Sequence, residues 1–170
     1  MLILVDENDN EIGTMAKTPV HEQGLLHRAF SVMLYRQNAK GQLELLLQKR
    51  NPAKYHCGGL WTNTCCSHPL PNEAVQDAAE RRLLEETGIQ VKLEPKGYFR
   101  YIAKFANGLT EHELDHVFVA EYQEEPKNFN RAEISKMKWI AKPLLEKALE
   151  ETPYLYTPWL PQVLRSMEQA

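Results

Sequence analysis

The clearest hydrophobic pattern in the chain predicts a helix over residues 73–87, a run without Gly or Pro. Its apolar residues recur at steps of three to five, as one face of an α-helix requires; they are Ala74, Val75, Ala78, Ala79, Leu83 and Leu84. The other face is charged and carries Arg81, Arg82, Glu85 and Glu86. Asn72 is expected to cap the start of this helix, and Gly88 suits a left-handed residue at its end. The charges alone indicate a surface helix with ion pairs one turn apart.

Short runs of apolar and β-branched residues predict strands on both sides of that helix. Residues 29–35 and 43–48 are expected to pair, and Asn107-Gly108 marks a hairpin between residues 97–105 and 111–122. Shorter strands are predicted at residues 2–5, 91–93 and 136–140, and two further helices at residues 143–150 and 158–167. This order predicts an α+β fold, with a mixed β-sheet flanked by helices in a single domain over residues 1–170.

Alternation along the first long strand predicts two faces of different character. His27, Ala29, Ser31 and Met33 share one face, and Arg28, Phe30, Val32 and Leu34 share the other.

Composition narrows the class of protein. The net charge is −3, which argues against a general nucleic-acid binder or a binder of anionic membranes. No apolar run reaches the ~20 residues that a membrane-spanning helix needs. The start of the chain is acidic rather than basic, unlike a signal peptide. Three cysteines, two of them adjacent, do not suggest a disulfide framework and favour a cytoplasmic setting.

Two glutamates on one predicted strand indicate a cation site. Glu111 and Glu113 are two positions apart in the strand, so their side chains point to the same face, about 6–7 Å from each other. Two neighbouring carboxylates repel each other, and a divalent metal would relieve that repulsion. The alternative is a solvated acidic strand face that Asp115 continues.

Histidines elsewhere in the chain strengthen the metal interpretation. His21, His27 and His68 would complete a site of nitrogen and oxygen donors suited to a first-row metal. His56, His112 and His116 are interpreted as structural or surface residues. A competing site would bind zinc through Cys57, Cys65, Cys66 and His68, but the paired spacing of such sites is missing. Cys66 is a candidate nucleophile or acid–base partner of Glu113, or else an inert buried thiol.

Basic residues that precede, follow or face this region suit a diphosphate ligand. Lys17, Arg50, Lys54 and Arg82 would bind its oxygens, and Glu86 would hold Mg²⁺ through them. The alternative for each is an exposed charge.

The central helix and the loop before it resemble a Nudix box. Glu73, Arg81, Glu85, Glu86 and Gly88 stand at the spacing of that box. Ser67 stands where the box has Gly, and Arg82 where it has Glu, which argues against ordinary Nudix hydrolysis. The segments GLLHRAFSV, TNTCCSHPL and EHELDHVF resemble more specifically the type I isopentenyl diphosphate isomerases, and the resemblance runs from Ile12 to Trp159.

The resemblance implies a Nudix fold and an allylic shift of a double bond, from isopentenyl diphosphate to dimethylallyl diphosphate. It implies Cys66 and Glu113 as the acid–base pair, with Tyr101 and Trp159 beside the reacting alkene. It implies one tightly bound divalent metal (Mn, Zn or Mg), and the matching ligands are His21, His27, His68, Glu111 and Glu113. Mg²⁺ would accompany the diphosphate at Glu86, with Lys17, Arg50, Lys54 and Arg82 lining that pocket.

Two other functions remain open at this stage. A Nudix diphosphohydrolase would cleave the substrate, and a non-catalytic module would bind a metal or a prenyl diphosphate without turnover. The sequence does not determine the oligomeric state, the identity of the tightly bound metal, a role for Cys65, or which of Cys66 and Glu113 delivers the first proton.

Overall fold

The strands form one mixed sheet in the computed structural model, which describes residues 1–54 and 56–168. The strands are β1 (Leu2–Val5), β2 (Glu11–Met15), β3 (His27–Gln37), β4 (Leu43–Arg50), β5 (Trp61–Thr62), β6 (Cys65–Ser67), β7 (Glu94–Lys104), β8 (Thr110–Glu121) and β9 (Ile134–Ala141). The helices are α1 (Lys17–Gln23), α2 (Val75–Thr87), α3 (Lys142–Glu151) and α4 (Leu160–Met167), with a 3₁₀ turn at Pro153–Leu155. The predicted α+β fold is confirmed.

Strand β3 organises the sheet. It pairs in parallel with β8, from His27 opposite Glu113 to Tyr35 opposite Glu121. On its other edge it pairs with β6, where Ser31 faces Cys66, and it meets β4 only near its end. The predicted pairing of the first two long strands is therefore confirmed only at their turn. This register brings the start of β3, the start of β8 and the end of β6 to one end of the sheet.

The alternation along β3 separates two hydrophobic cores. Phe30, Val32 and Leu34 pack with Ala79 and Leu83 of α2 on one side of the sheet. The opposite core contains Met33 and the buried apolar residues of α3 and α4; these include Leu145, Leu160 and Val163. The predicted division of β3 into two faces is confirmed.

The start of α2 differs from the prediction. Its cap position is Ala74, and no side chain caps it. Asn72 instead has a left-handed backbone (φ 67°) in a turn closed by a hydrogen bond from Glu73 N to Leu70 O. Pro71 then occupies the turn position that favours proline and Asn72 one that favours positive φ, so local turn chemistry outweighed capping. At the other end Gly88 (φ 75°) ends the helix as predicted.

Two smaller expectations were wrong, and one helix was missed. Residues 91–93 form no strand, because the backbone N–H of Leu93 donates to Glu80 Oε2 at 2.8 Å rather than to a neighbouring strand. Leu84 was assigned to the buried stripe of α2 but is 45% exposed. Helix α1 was not predicted, since it is short and contains Pro19. Within the described residues, no helix is long and apolar enough to cross a bilayer.

Candidate active site

A cluster of histidines and carboxylates lies where β3, β6, β8 and α1 meet. His21 Nε2 is 3.3 Å from Glu111 Oε1, and His68 Nε2 is 3.1 Å from Glu113 Oε2. His27 Nε2 lies 3.5 Å from Glu113 Oε2. One ligand atom from each of His21, His27, His68 and Glu111 falls within 4.8 Å of the other three. The topology therefore brings the donors predicted from remote segments together.

The chemistry of this cluster fits a divalent cation. His27 Nε2 and Glu111 Oε2 are buried, lie 4.0 Å apart, and make no hydrogen bond among the described residues. His27 Nδ1 lies 3.0 Å from Leu25 O, so its N–H donates there and Nε2 is left with a lone pair facing the cluster. Buried acceptor atoms without a hydrogen bond are costly unless a cation satisfies them. Three imidazoles and a carboxylate are ligands that zinc and manganese accept.

Electrostatics within the cluster favour charged carboxylates. Burial would raise the pKa of Glu111, but hydrogen bonds with His21 and His56 outweigh burial and hold that pKa well below its ordinary value. Burial lowers the pKa of His68, and Glu113 offsets only part of this effect. Burial alone would lower the pKa of His27, but its contacts with Glu113 outweigh burial and raise that pKa above its ordinary value. The cluster therefore combines an anionic oxygen at Glu111 with an imidazole at His68 that favours its neutral form, and both of these states bind metals.

His56 is not a surface residue, and the sequence did not place it in the cluster. Its Nε2 lies 3.0 Å from Glu111 Oε1, and its side chain is only 9% exposed. Its ring also stands 6.5 Å from the ring of Trp159. Because His56 lies in a loop, no periodicity assigned it to a face, and its closeness to Lys54 in sequence was the only available signal. His112 and His116 lie outside the cluster, near Gly24 O and Asp9 respectively.

The acidic face of β8 is not solvated. Glu111 is 3% exposed and Asp115 is 1% exposed, so the alternative of a solvated strand face is wrong. Asp115 Oδ2 accepts a hydrogen bond from Ser31 Oγ at 2.9 Å. Burial, with the nearby charge of Glu113, raises the pKa of Asp115 well above its ordinary value. Asp115 and Ser31 are site residues that sequence reasoning did not identify.

Cys66 lies on β6 beside these groups. Its Sγ is 3.9 Å from Ser31 Oγ, and its S–H donates to Asn63 Oδ1 at 3.3 Å. Burial and the nearby Asp115 carboxyl raise the pKa of Cys66 to about 12, so the thiol keeps its proton at neutral pH. None of Cys57, Cys65 and Cys66 forms a disulfide. The competing zinc site of three cysteines and His68 is not among the metal-ligand clusters of the described residues.

Two aromatic side chains border the thiol. The rings of Tyr101 and Trp159 meet edge to face at 5.9 Å, and both side chains are buried. Tyr101 stands opposite Glu113 in the β7–β8 ladder. Burial raises the pKa of the Tyr101 hydroxyl, which has no hydrogen-bond partner among the described residues. This end of the site is buried and aromatic.

Four cationic side chains line the cavity that Cys66 and Trp159 border. Lys17, Arg50, Lys54 and Arg82 line it, together with Glu86, Glu133, Cys66, His68, Glu113 and Trp159. Arg82 Nη2 donates to Glu86 Oε2 at 2.9 Å, and Lys54 pairs with Glu133. The Nε atoms of Arg50 and Arg82 are buried without a hydrogen bond among the described residues, so these guanidinium groups retain capacity for an anion. His21, His27 and Tyr101 do not line the cavity itself.

Glu73 of the Nudix-like pattern bonds to a residue of helix α2 and does not line the cavity. Its carboxylate accepts two hydrogen bonds from Arg81, at 2.7 and 2.9 Å, and a third from the backbone N–H of Leu70. The helix α2 contributes only Arg82 and Glu86 to the cavity, and the other lining residues come from α1, from loops and from strands.

Comparison with known proteins places the chain in a family. The NUDIX domain model matches residues 25–160. The chain is 45% identical over 166 residues to the isopentenyl-diphosphate Delta-isomerase of Photobacterium profundum, covering 96% of this chain and 92% of that protein. It is 42% identical over 167 residues to isopentenyl-diphosphate Delta-isomerase 2 of Photorhabdus laumondii, covering 98% and 92%. A crystal structure of a Deinococcus radiodurans protein superposes with a TM-score of 0.76 at 20% identity, covering 97% and 98%.

Proposed function

The chain belongs to the isopentenyl-diphosphate Delta-isomerase family of Nudix domain proteins, and we propose that its cavity converts isopentenyl diphosphate into dimethylallyl diphosphate. The observation that carries the proposal is the lining of one cavity. A thiol (Cys66) and a carboxylate (Glu113) face the same space as four cationic side chains. Such a space suits a substrate with an apolar reacting end and a diphosphate at the other.

The reaction requires two proton transfers. A proton is added to the terminal carbon of the alkene, which leaves a tertiary cation, and a proton is then removed from the methylene next to the oxygen-bearing carbon. Cys66 and Glu113 are the proposed acid–base pair for these two steps. The support is that both line the cavity and that Cys66 holds a proton at neutral pH because its pKa is raised.

The aromatic end of the cavity would protect and stabilise the cation. Trp159 presents a buried ring, and a desolvated ring face stabilises a cation by about 2 kcal/mol or more. Tyr101 packs against that ring and stands beside Glu113 in the sheet, so it helps exclude water from the reacting carbons. Without this exclusion, water would trap the tertiary cation as an alcohol.

The diphosphate would occupy the basic side of the cavity. Lys17, Arg50, Lys54 and Arg82 are its proposed ligands, and the buried Nε groups of both arginines support this assignment. Glu86, buried beside Arg82, is the proposed contact for a Mg²⁺ ion that enters with the diphosphate. Arg82 replaces a Nudix-box glutamate and adds positive charge where the substrate is anionic.

A divalent metal, Mn, Zn or Mg, is the proposed resident cofactor, with His21, His27, His68, Glu111 and Glu113 as its ligands. When bound it would supply a Lewis acid that holds the Glu113 carboxyl in place and sets its proton affinity. We assign the activity to residues 1–170 as one domain, since α1 carries both Lys17 and His21. Three thiols without disulfides favour a reducing compartment such as the cytoplasm.

One assay tests the function. The protein is incubated with isopentenyl diphosphate and Mg²⁺ in D₂O and followed by NMR. We expect dimethylallyl diphosphate that carries deuterium, and we expect Cys66→Ala to lower the rate by at least about 100-fold with the fold intact. Release of phosphate would instead indicate a diphosphohydrolase, and an unchanged substrate would indicate a binding module without turnover.

A further inference from the structure

Asn63 lies fully buried in the turn between β5 and β6, outside the set of site residues considered so far. Its side-chain amide donates two hydrogen bonds to backbone carbonyls, to Cys65 O at 2.8 Å and to Val32 O at 3.2 Å. Carbonyl oxygens only accept, so the NH₂ group must face them. The orientation of the amide is therefore set by its partners, and Oδ1 must face the other way.

The Oδ1 atom of Asn63 meets three donors. The Cys66 thiol donates to it at 3.3 Å, the Trp159 indole N–H at 3.2 Å, and the Thr62 hydroxyl at 2.8 Å. An indole N–H can only donate, so this contact independently requires an acceptor at that position. One oxygen thus holds both the thiol and the indole of the proposed site.

Hydrogen bonds next to Asn63 also connect two segments that are remote in sequence. Thr62 Oγ1 lies 2.7 Å from Thr157 Oγ1, and Thr157 N donates to Trp61 O at 2.9 Å. Trp159 lies two residues after Thr157 and is the N-cap residue of α4. The position of its indole relative to β6 therefore depends on polar contacts gathered around Asn63.

We propose that Asn63 is a positioning residue, whose side-chain oxygen sets the thiol of Cys66 and the indole of Trp159 at a fixed separation and orientation around the substrate's alkene. This role rests on the proposed isomerase function. Reacting groups must be held to within a fraction of an ångström, and a displacement of about 1 Å costs on the order of 100-fold in rate. Asn63 itself does not line the cavity, so it acts through the two side chains that it holds.

Thr64 supplies a matched comparison in the same turn. It is as buried as Asn63, and its hydroxyl donates to Leu46 O at 2.6 Å and accepts from Leu34 N at 2.9 Å. Those partners are backbone groups rather than site side chains. Loss of the Thr64 hydroxyl should therefore disturb the fold without moving the thiol or the indole.

The test compares Asn63→Ala with Thr64→Val by steady-state kinetics and thermal unfolding. We expect both variants to be less stable than the wild type. We expect kcat for isopentenyl diphosphate to fall about 100-fold in Asn63→Ala, with KM within about threefold, because none of the proposed diphosphate ligands bonds to Asn63. Thr64→Val should keep kcat within about threefold of the wild type.

Two results would overturn the positioning role while leaving the isomerase function intact. One is an Asn63→Ala variant with wild-type kcat, and the other is a fall in kcat of equal size in Thr64→Val. Absence of turnover in the wild type would instead overturn the proposed function itself.

Spectra of the wild type and of Cys66→Ala keep the proposal testable even where Asn63→Ala does not fold. In ¹H–¹⁵N spectra, the indole N–H of Trp159 should exchange with solvent at least about 100-fold more slowly than that of Trp139, which donates to Glu124 O at the surface. Cys66→Ala should shift the Trp159 indole signal and leave the Trp139 signal unchanged, because only the former shares an acceptor with the thiol. An unshifted Trp159 signal would refute the shared contact.

Discussion

Glu73→Gln tests whether this Nudix-box residue stabilises the fold rather than taking part in catalysis. The substitution removes the charge from a carboxylate that accepts two hydrogen bonds from Arg81. The amide oxygen of glutamine still accepts the Leu70 N–H, so that contact survives. What is lost is a bidentate ion pair between α2 and the loop that leads into it.

The magnitude follows from the exposure of the pair. The side chains of Arg81 and Glu73 are 32% and 18% exposed, so solvent screens them in part. Fully exposed pairs contribute about 0.2–1 kcal/mol, and charge-assisted bonds with good geometry contribute more. We expect Glu73→Gln to lower the free energy of unfolding by about 1 kcal/mol at pH 7, or about 2–4 °C in Tm for a domain of this size.

The pH dependence gives a second, sharper criterion. The hydrogen bonds with Arg81 hold the pKa of Glu73 below its ordinary value. A depressed pKa in the folded state contributes stability that is present above the unfolded pKa of about 4.3 and is lost as pH falls through the folded pKa. The difference between wild type and Glu73→Gln should therefore be full at pH 6–7 and shrink below about pH 4.

The assay is urea unfolding followed by circular dichroism at pH 7 and pH 3, with kcat measured at pH 7. Glu85→Gln is the matched control, since Glu85 also bonds to Arg81 but is 43% exposed and should contribute less. Equal stability of Glu73→Gln and wild type at pH 7 would contradict the reasoning, as would a stability difference that persists unchanged at pH 3. A tenfold loss of kcat in Glu73→Gln would show that the residue takes part in catalysis.

Four further outcomes are expected. Glu113→Gln should lower turnover at least about 100-fold in the D₂O assay, and retention of more than a tenth of the wild-type rate would count against its role. Removal of divalent metal by a chelator should lower Tm in calorimetry, because a ligand at 100 times its Kd stabilises the folded state by about 2.7 kcal/mol. In His68→Ala, most of this change of Tm on addition of the chelator should be lost. His56→Ala should weaken metal binding by about 10–100-fold in a chelator competition, since it removes a hydrogen bond that orients Glu111. Arg82→Glu should raise KM at least tenfold without releasing phosphate, and phosphate release by this variant would show that the box substitution alone blocks hydrolysis.

Local patterns were enough to predict most of the framework. The helix stripe of α2 and the alternation of β3 depend on periodicity, which any stretch carries within itself. Glycine at position 88 ends the helix because few other residues adopt its positive φ. The errors fall where two local signals competed, as at Asn72, where a turn outweighed a cap, or where a partner elsewhere decided, as at Leu93.

The candidate site divides in the same way. The residues proposed from the TNTCCSHPL and EHELDHVF segments come together because β6 and β8 flank β3. His56, Asn63 and Asp115 were missed because their roles depend on which atoms they meet across the sheet. The amide oxygen of Asn63 contacts both the thiol of Cys66 and the indole of Trp159, which lies almost a hundred residues later in the chain. No spacing in the sequence predicts that these two contacts share one oxygen.

The amino-acid sequence by itself determined the class of fold, the two faces of the sheet, the family, and most of the donor side chains, because these follow from residue type and period. Only the tertiary structure decided that the histidines and glutamates converge, that Asp115 is buried, and that Asn63 joins Cys66 to Trp159. The physical reason is that hydrogen bonds and ion pairs act over about 3–4 Å, and only strand register and packing bring remote residues to that distance.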